Sequence, residues 1–220
     1  HIRPKLCYYQ RYLTIRIQMS FNNLGLSVGL LKAIKEQGYD TPTPIQEKAI
    51  PIILQKKDVL AGAQTGTGKT AGFTLPMLEL LSRAKHKTQQ HKVKALILTP
   101  TRELASQVEE SVRLYGKHMP YKSVVIFGGV KINPQIVALR KGVDIVVATP
   151  GRLLDHISQK TINLSHVDFL ILDEADRMLD MGFVNDIKKV IAVLPKERQT
   201  LLFSATYSDD IKKLSNQFLK

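Results

Sequence analysis

The run Ala63-Gln64-Thr65-Gly66-Thr67-Gly68-Lys69-Thr70 carries the groups needed to grip a polyphosphate. Gly66 and Gly68 let the backbone curl so that amide N–H groups converge on phosphate oxygens, and a helix opening at Lys69 adds its N-terminal partial charge. The Lys69 ammonium can reach the terminal phosphates, and the Thr70 hydroxyl can ligate Mg²⁺. The usual loop of this kind begins with glycine; here Ala63 stands first, leaving Gly66 and Gly68 to shape the turn. The plain alternative is a glycine-rich turn with a surface lysine. The order of apolar run, loop, Gly-Lys-Thr and helical pattern argues for phosphate binding.

A second run pairs with it. Phe169-Leu170-Ile171-Leu172 leads directly into Asp173-Glu174-Ala175-Asp176. Three carboxylates in four residues repel one another, and a cation relieves that repulsion. Asp173 is placed to hold Mg²⁺ through water, and Glu174 to polarise an attacking water. Alone, such a run reads equally well as an acidic helix start, favoured by the helix dipole. Beside a phosphate loop, the two halves complete one another.

The elements that must position these residues follow from hydrophobic patterning. Candidate strands are Asp58–Ala61, Ala95–Thr99, Ser123–Phe127, Ile145–Ala148, Phe169–Leu172 and Thr200–Ser204. They are apolar on consecutive positions, as strands covered on both faces are. Helical patterns fall near Ser27–Gln37, Pro44–Leu54, Lys69–Ser82, Arg102–Tyr115, Pro134–Arg140, Gly151–Ser158, Val184–Val193 and Asp209–Leu219. The alternation predicts a single α/β domain with a mostly parallel central sheet and helices on both faces. Such sheets bind ligands outside the carboxyl ends of their strands. Met178 and Met181 are expected in the core beneath the acidic turn, and Lys85–Lys94 as a basic surface loop.

The 220 residues carry a net charge of +13 and are 44% hydrophobic. That composition excludes a disordered chain, no apolar run is long enough to span a bilayer, and the single cysteine, Cys7, excludes an internal disulfide scaffold. The charge suggests a polyanionic partner without saying which. Residues 1–18 hold Arg3, Lys5, Arg11 and Arg16 and no acid, ahead of Met19. They are expected to be a non-native leader, with a native basic arm or an organellar transit remnant as alternatives, and residues 19–220 the protein proper. A reducing, cytoplasmic setting is expected.

The combination of AQTGTGKT with DEAD resembles the DEAD-box ATP-dependent RNA helicases, and specifically their N-terminal RecA-like domain. Further segments resemble that family's motifs in order. Gly38 to Gln46, with Tyr39 and Thr41 inside it and Phe21 upstream, is similar to the Q motif. Pro100-Thr101-Arg102-Glu103-Leu104-Ala105, Gly128-Gly129 and Thr149-Pro150-Gly151-Arg152 are similar to the RNA-backbone motifs, and Ser204-Ala205-Thr206 to the segment that couples hydrolysis to unwinding. The stretch from Ala61 to Pro76 looks most like the bacterial RhlE-type branch.

The resemblance implies that Phe21, Tyr39, Thr41 and Gln46 lie at the adenine, and that Ser204 and Thr206 bond to Asp176 and report the nucleotide state. From its chemistry, the Gln46 amide has the donor and acceptor to read adenine N6 and N7; a solvated helix position is its alternative, and core packing that of Phe21 and Tyr39. Hydroxyls, open amides and guanidinium groups at Thr101, Arg102, Gly128, Gly129, Thr149, Gly151 and Arg152 suit phosphate rather than base edges. Helix caps and ordinary turns are their alternatives, and a satisfied strand-end turn is that of Ser204 and Thr206.

Together these readings imply ATP, Mg²⁺ and RNA as ligands, with little RNA sequence preference. The family needs a second RecA-like half, which does not follow in this sequence, so the chain is expected to be monomeric, to bind adenine nucleotide and to bind RNA weakly, with little hydrolysis or unwinding. A binding module with no enzymatic role, and a DNA-directed helicase or another P-loop motor, are the competing readings.

Overall fold

The computed structural model describes residues 20–84 and 92–220. The leader and most of the Lys85–Lys94 loop lie outside the described residues.

Six short strands form the sheet: β1 (Val59–Gly62), β2 (Ala95–Leu98), β3 (Ser123–Ile126), β4 (Ile145–Ala148), β5 (Phe169–Leu172) and β6 (Gln199–Ser204). Their order is β1-β6-β5-β2-β4-β3, and every neighbouring pair is parallel, so the sheet is wholly rather than mostly parallel. Each strand returns through helices: α1 (Val28–Glu36), α2 (Pro44–Leu54), α3 (Lys69–Arg83), α4 (Arg102–Tyr115), α5 (Asn133–Arg140), α6 (Pro150–Ser158), α7 (Ala175–Asp180), α8 (Val184–Ala192) and α9 (Asp209–Phe218).

The apolar strands are explained by a core on each face. Alternate residues of a strand point to opposite sides. Ile97, Val147, Ile171, Leu201 and Phe203 pack against α2, α3 and α4. Leu96, Val146, Leu170 and Leu202 pack with residues of α6, α8 and α9. Each fully buried aliphatic side chain of this kind contributes about 1.5–3 kcal/mol. The helix α3 is buried along almost its whole length, and Phe73 meets Phe203 with ring centroids 5.2 Å apart.

Burying Glu79 within α3 requires partners, and it has them. Its Oε2 accepts the Ser27 N–H at 2.7 Å and its Oε1 the Arg83 Nε–H at 2.8 Å, while Arg83 Nη2 donates to Gly25 O at 2.7 Å. This clasp ties the chain ahead of α1 to the helix that begins at the phosphate loop. Two expectations are corrected here. The acidic turn continues into the short helix α7, and Met181 just beyond it is 48% exposed, because the turn at Gly182 swings it outward; Met178 alone enters the core.

Candidate active site

The strand order divides the chemistry. The turns after β1, β6 and β5 lie side by side and carry Ala63–Thr70, Ser204–Thr206 and Asp173–Asp176. The turns after β2, β4 and β3 form the other half and carry Pro100–Arg102, Thr149–Arg152 and Gly128-Gly129. All strands being parallel, both halves open on one edge of the sheet.

The phosphate loop leaves β1 with Ala63 N–H still bonded to Ser204 O at 2.9 Å. Gly66 and Gly68 both take left-handed conformations, with φ of +80° and +81°. A Cβ on Gly66 would meet nothing, whereas one on Gly68 would stand 2.5 Å from Gln46 Nε2 and 3.0 Å from Thr43 Oγ1. Gln64, Thr65 and Gly66 are exposed; Thr67 and Thr70 are half-buried, and Thr67 Oγ1 donates to Gln64 O at 2.7 Å. A cleft of about 490 Å³ lies between the loop and the start of α2, lined by Thr43, Pro44, Ile45 and Lys48 on one side and Ala63, Gln64 and Thr67 on the other.

Gln46 is buried and joins the two walls. Its Oε1 accepts the Thr43 N–H at 3.0 Å, and its Nε2 donates to Gly68 O at 3.0 Å. An amide has two N–H donors and two acceptor lone pairs, so one donor and one acceptor remain for a ligand. Gln46 is therefore not the solvated helix position that was its alternative, and it holds the loop at Gly68 as well.

Lys69 crosses to the acidic turn. Its Nζ lies 2.9 Å from Asp173 Oδ1 and 3.3 Å from Glu174 Oε1. The lysine is 5% exposed and Asp173 is fully buried, so this pair is shielded from water. Burial pushes the Asp173 carboxyl above its ordinary value, with Lys69 pulling the other way. Asp173 Oδ2 is buried with no hydrogen-bond partner. An orphaned carboxylate oxygen of this kind fits a divalent cation, which would supply the charge it lacks. Glu174 sits at φ +52°, ψ +51°, a strained region for a side chain bearing a Cβ, and its Oε2 lies 3.4 Å from Arg177 Nη1. Such strain costs about 1–2 kcal/mol.

Asp176 meets the turn after β6: its Oδ2 accepts the Thr206 backbone N–H at 3.1 Å. The Ser204 hydroxyl donates to Thr206 O at 2.8 Å. The bond to Asp176 therefore comes from the main chain, and the serine braces the turn itself. Phe21 is 5% exposed within the core cluster, Tyr39 is 56% exposed, and neither these nor Thr41 lines the cleft.

In the other half, Thr101 caps α4, its Oγ1 accepting the Leu104 N–H at 3.3 Å, and Pro100 before it is buried. Arg102 is exposed, pairs with Glu103 at 2.7 Å, and has its Nη1 3.7 Å from where a Gly129 Cβ would stand. Gly128 has open space around it, and Gly129 has φ +78°. Thr149 precedes α6 without a side-chain capping bond, Pro150 occupies the first turn, and Gly151 is open. Arg152, expected to face phosphates, turns inward instead: its side chain is 11% exposed and its Nη2 donates to Val130 O at 2.9 Å.

The family model for the DEAD/DEAH box helicase matches residues 43–214. The chain belongs to the DEAD/DEAH box helicase family. It is 49% identical over 201 residues to an ATP-dependent RNA helicase CshA of Limosilactobacillus reuteri, covering 91% of this chain and 39% of that protein. To the DEAD-box ATP-dependent RNA helicase RhpA of Helicobacter pylori strain B128 it is 46% identical, covering 91% and 40%. A solved structure of a DEAD box protein from the hyperthermophile Methanococcus jannaschii matches with a TM-score of 0.85 at 44% identity, over 91% of this chain and 54% of that one. The chain thus spans about two fifths of the length of these curated relatives. These likenesses fix the family, a level above its RhlE-type branch.

Within this DEAD-box domain, sequence reasoning missed two buried polar residues, Gln135 and His156, which are 8% and 0% exposed. Gln135 Oε1 lies 3.3 Å from Arg152 Nη1 and 3.0 Å from His156 Nε2. Neither has a local signal: Gln135 sits in an ordinary helical pattern and His156 four residues after Arg152, and only the tertiary fold brings their side chains together. No helix among the described residues is long and apolar enough to cross a membrane.

Proposed function

We propose that the chain is the ATP-binding half of an ATP-dependent RNA helicase, which needs a second RecA-like half to hydrolyse ATP efficiently and unwind RNA. The observation that carries this reading is the 2.9 Å approach of Lys69 to Asp173, which joins the phosphate loop to the acidic strand end. On arrival of ATP, Lys69 exchanges a carboxylate partner for phosphate oxygens, and the loop amides from Gly66 onward take the rest of the charge. Gln46 offers its remaining donor and acceptor to adenine across the cleft, whose walls it already joins.

Thr70 and Asp173, the latter through its unpartnered Oδ2, are the residues that would hold Mg²⁺, largely through water. Bound there, Mg²⁺ would neutralise charge on the phosphates. Glu174, once Lys69 leaves it, is a free carboxylate able to polarise the attacking water. Asp176 and Thr206 link the acidic turn to the turn after β6, a route by which nucleotide state reaches the RNA-binding edge.

RNA is bound by its backbone, through the Thr101 and Thr149 turns, the Gly128, Gly129 and Gly151 amides, and the Arg102 guanidinium. These groups read no base edges, so sequence preference is weak. The chain is monomeric and works in the cytoplasm, where RNA and ATP coexist.

The test is RNA-stimulated ATP hydrolysis by a two-domain form bearing this chain. Glu174→Gln should retain nucleotide binding and lower turnover by about 10²–10⁴-fold. Undiminished turnover would refute Glu174 as the water-polarising residue. Equal RNA-stimulated turnover by the single domain would refute its dependence on a second half.

A further inference from the structure

We infer that Gln135 is a positioning residue for RNA binding, and that Arg152 acts through the same buried clamp rather than as a phosphate ligand. The inference rests on the reading of Gly128-Gly129 and Thr149–Gly151 as RNA-backbone contacts.

The donors and acceptors of the Gln135 amide follow from its partners. Phe127 O can only accept, so the Gln135 atom 2.9 Å from it is the amide nitrogen. The Gln135 oxygen then faces Arg152 Nη1 at 3.3 Å and His156 Nε2 at 3.0 Å. Arginine only donates, and the histidine must carry its proton on Nε2. In the neutral ring that burial favours, His156 Nδ1 accepts the Thr161 hydroxyl at 2.7 Å, a proton for which the His156 carbonyl at 3.2 Å competes. The Gln135 amide and both imidazole nitrogens thus have partners with the ring neutral. Burial, reinforced by the Arg152 charge, lowers the His156 pKa, against a smaller opposing pull from Asp155.

What the set holds is the Gly-Gly turn. Gln135 binds the carbonyl just before Gly128, that of Phe127, and Arg152 Nη2 binds the carbonyl just after Gly129, that of Val130, at 2.9 Å. With both flanking carbonyls pinned from inside, Gly128 and Gly129 stand at the surface with open space at Gly128 and φ +78° at Gly129. Arg152 belongs to the first turn of α6, which follows Thr149. One buried amide therefore fixes the distance between two turns that must meet successive phosphates of one strand. On the remaining face of the fork, Nε lies 3.4 Å from Asp155 Oδ2 and is buried without a hydrogen bond. With the side chain 11% exposed, little of this guanidinium reaches the surface where RNA would lie.

The test compares Gln135→Leu and Arg152→Lys with the unaltered chain, using fluorescence anisotropy with a single-stranded RNA and a separate titration with ADP. Gln135→Leu should weaken RNA binding about five- to tenfold, the effect of a few misplaced neutral contacts. ADP affinity and the slope of log K against log salt should be unchanged, since no phosphate-neutralising charge is lost. Arg152→Lys keeps the charge and loses the fork, and should weaken binding as much. The double variant should fall no further than either single one. Wild-type RNA affinity in Gln135→Leu, or in Arg152→Lys, overturns the clamp. Should Gln135→Leu fail to fold, Arg152→Lys decides alone. If the unaltered chain binds no RNA, the RNA reading fails instead. Hydrogen exchange at the Gly128 and Gly129 amides then tests the clamp: faster exchange in Arg152→Lys supports it, and unchanged exchange overturns it.

Discussion

Lys69 Nζ stands 2.9 Å from Asp173 Oδ1, with both side chains almost wholly withdrawn from water. In the free chain, then, the lysine proposed to bind phosphate is the counter-ion of a buried carboxylate. On the proposed reading, one contact both holds the domain together and readies the site for ATP.

Lys69→Ala should therefore cost stability as well as nucleotide binding. Removing one member of a buried pair costs about 3 kcal/mol or more, because the other charge is stranded. Burial raises the folded Asp173 pKa above its unfolded value, and Lys69 is the first group opposing that rise. Without Lys69 the folded value climbs further. A raised folded pKa contributes stability that is present below the unfolded value, about 3.9, and is lost as pH rises through the folded one. Chemical denaturation should show Lys69→Ala close to the unaltered chain at the acidic end of that window and falling behind toward neutrality. Adding Asp173→Asn should restore most of the loss. A pH-independent difference would argue against a charged Asp173 beside Lys69.

The two loop glycines should differ. Gly66→Ala meets open space, so only its left-handed φ of +80° matters, at about 1–2 kcal/mol. Gly68→Ala adds a collision with Gln46 Nε2, 2.5 Å from the new Cβ, which must displace that amide from Gly68 O, and should cost about 1 kcal/mol more than Gly66→Ala. Thermal unfolding of the two variants checks this ranking, and equal losses would contradict the packing of Gln46 on the loop.

Gln46 should serve both loop and base. Gln46→Glu keeps an acceptor for the Thr43 N–H but cannot donate to Gly68 O or to adenine. Competition titrations should show ADP weakened about tenfold and preference for ADP over GDP reduced. If ADP and GDP weaken equally, the residue positions the loop without reading the base.

Much of this architecture is visible in the chain itself, and the reason is physical. Strands covered on both faces must be apolar at successive positions, so Ile145–Ala148 and Phe169–Leu172 match with both boundaries intact. Arg102–Tyr115 and Pro44–Leu54 are equally plain, each following a capping threonine. The phosphate loop and the acidic turn are legible because their chemistry requires particular residues in sequence. Contacts made only by packing are not. Nothing local tells that Gln46 reaches Gly68, that Arg152 turns in toward Val130, or that Gln135 and His156 meet between α5 and α6. The helix α7 escaped because its first residues read as a cation-binding turn, and Met181 because an apolar side chain beside a core methionine gives no sign that Gly182 redirects it.

The most direct measurement is calorimetric titration of the chain with ADP and Mg²⁺, beside Lys69→Ala at a pH where both remain folded. Saturable one-to-one binding, weakened at least about tenfold in Lys69→Ala, is the expected result, since a charge-assisted phosphate contact is lost. Equal affinities in the two proteins, or no binding by the unaltered chain, would contradict the assignment of Ala63–Thr70 as the nucleotide site.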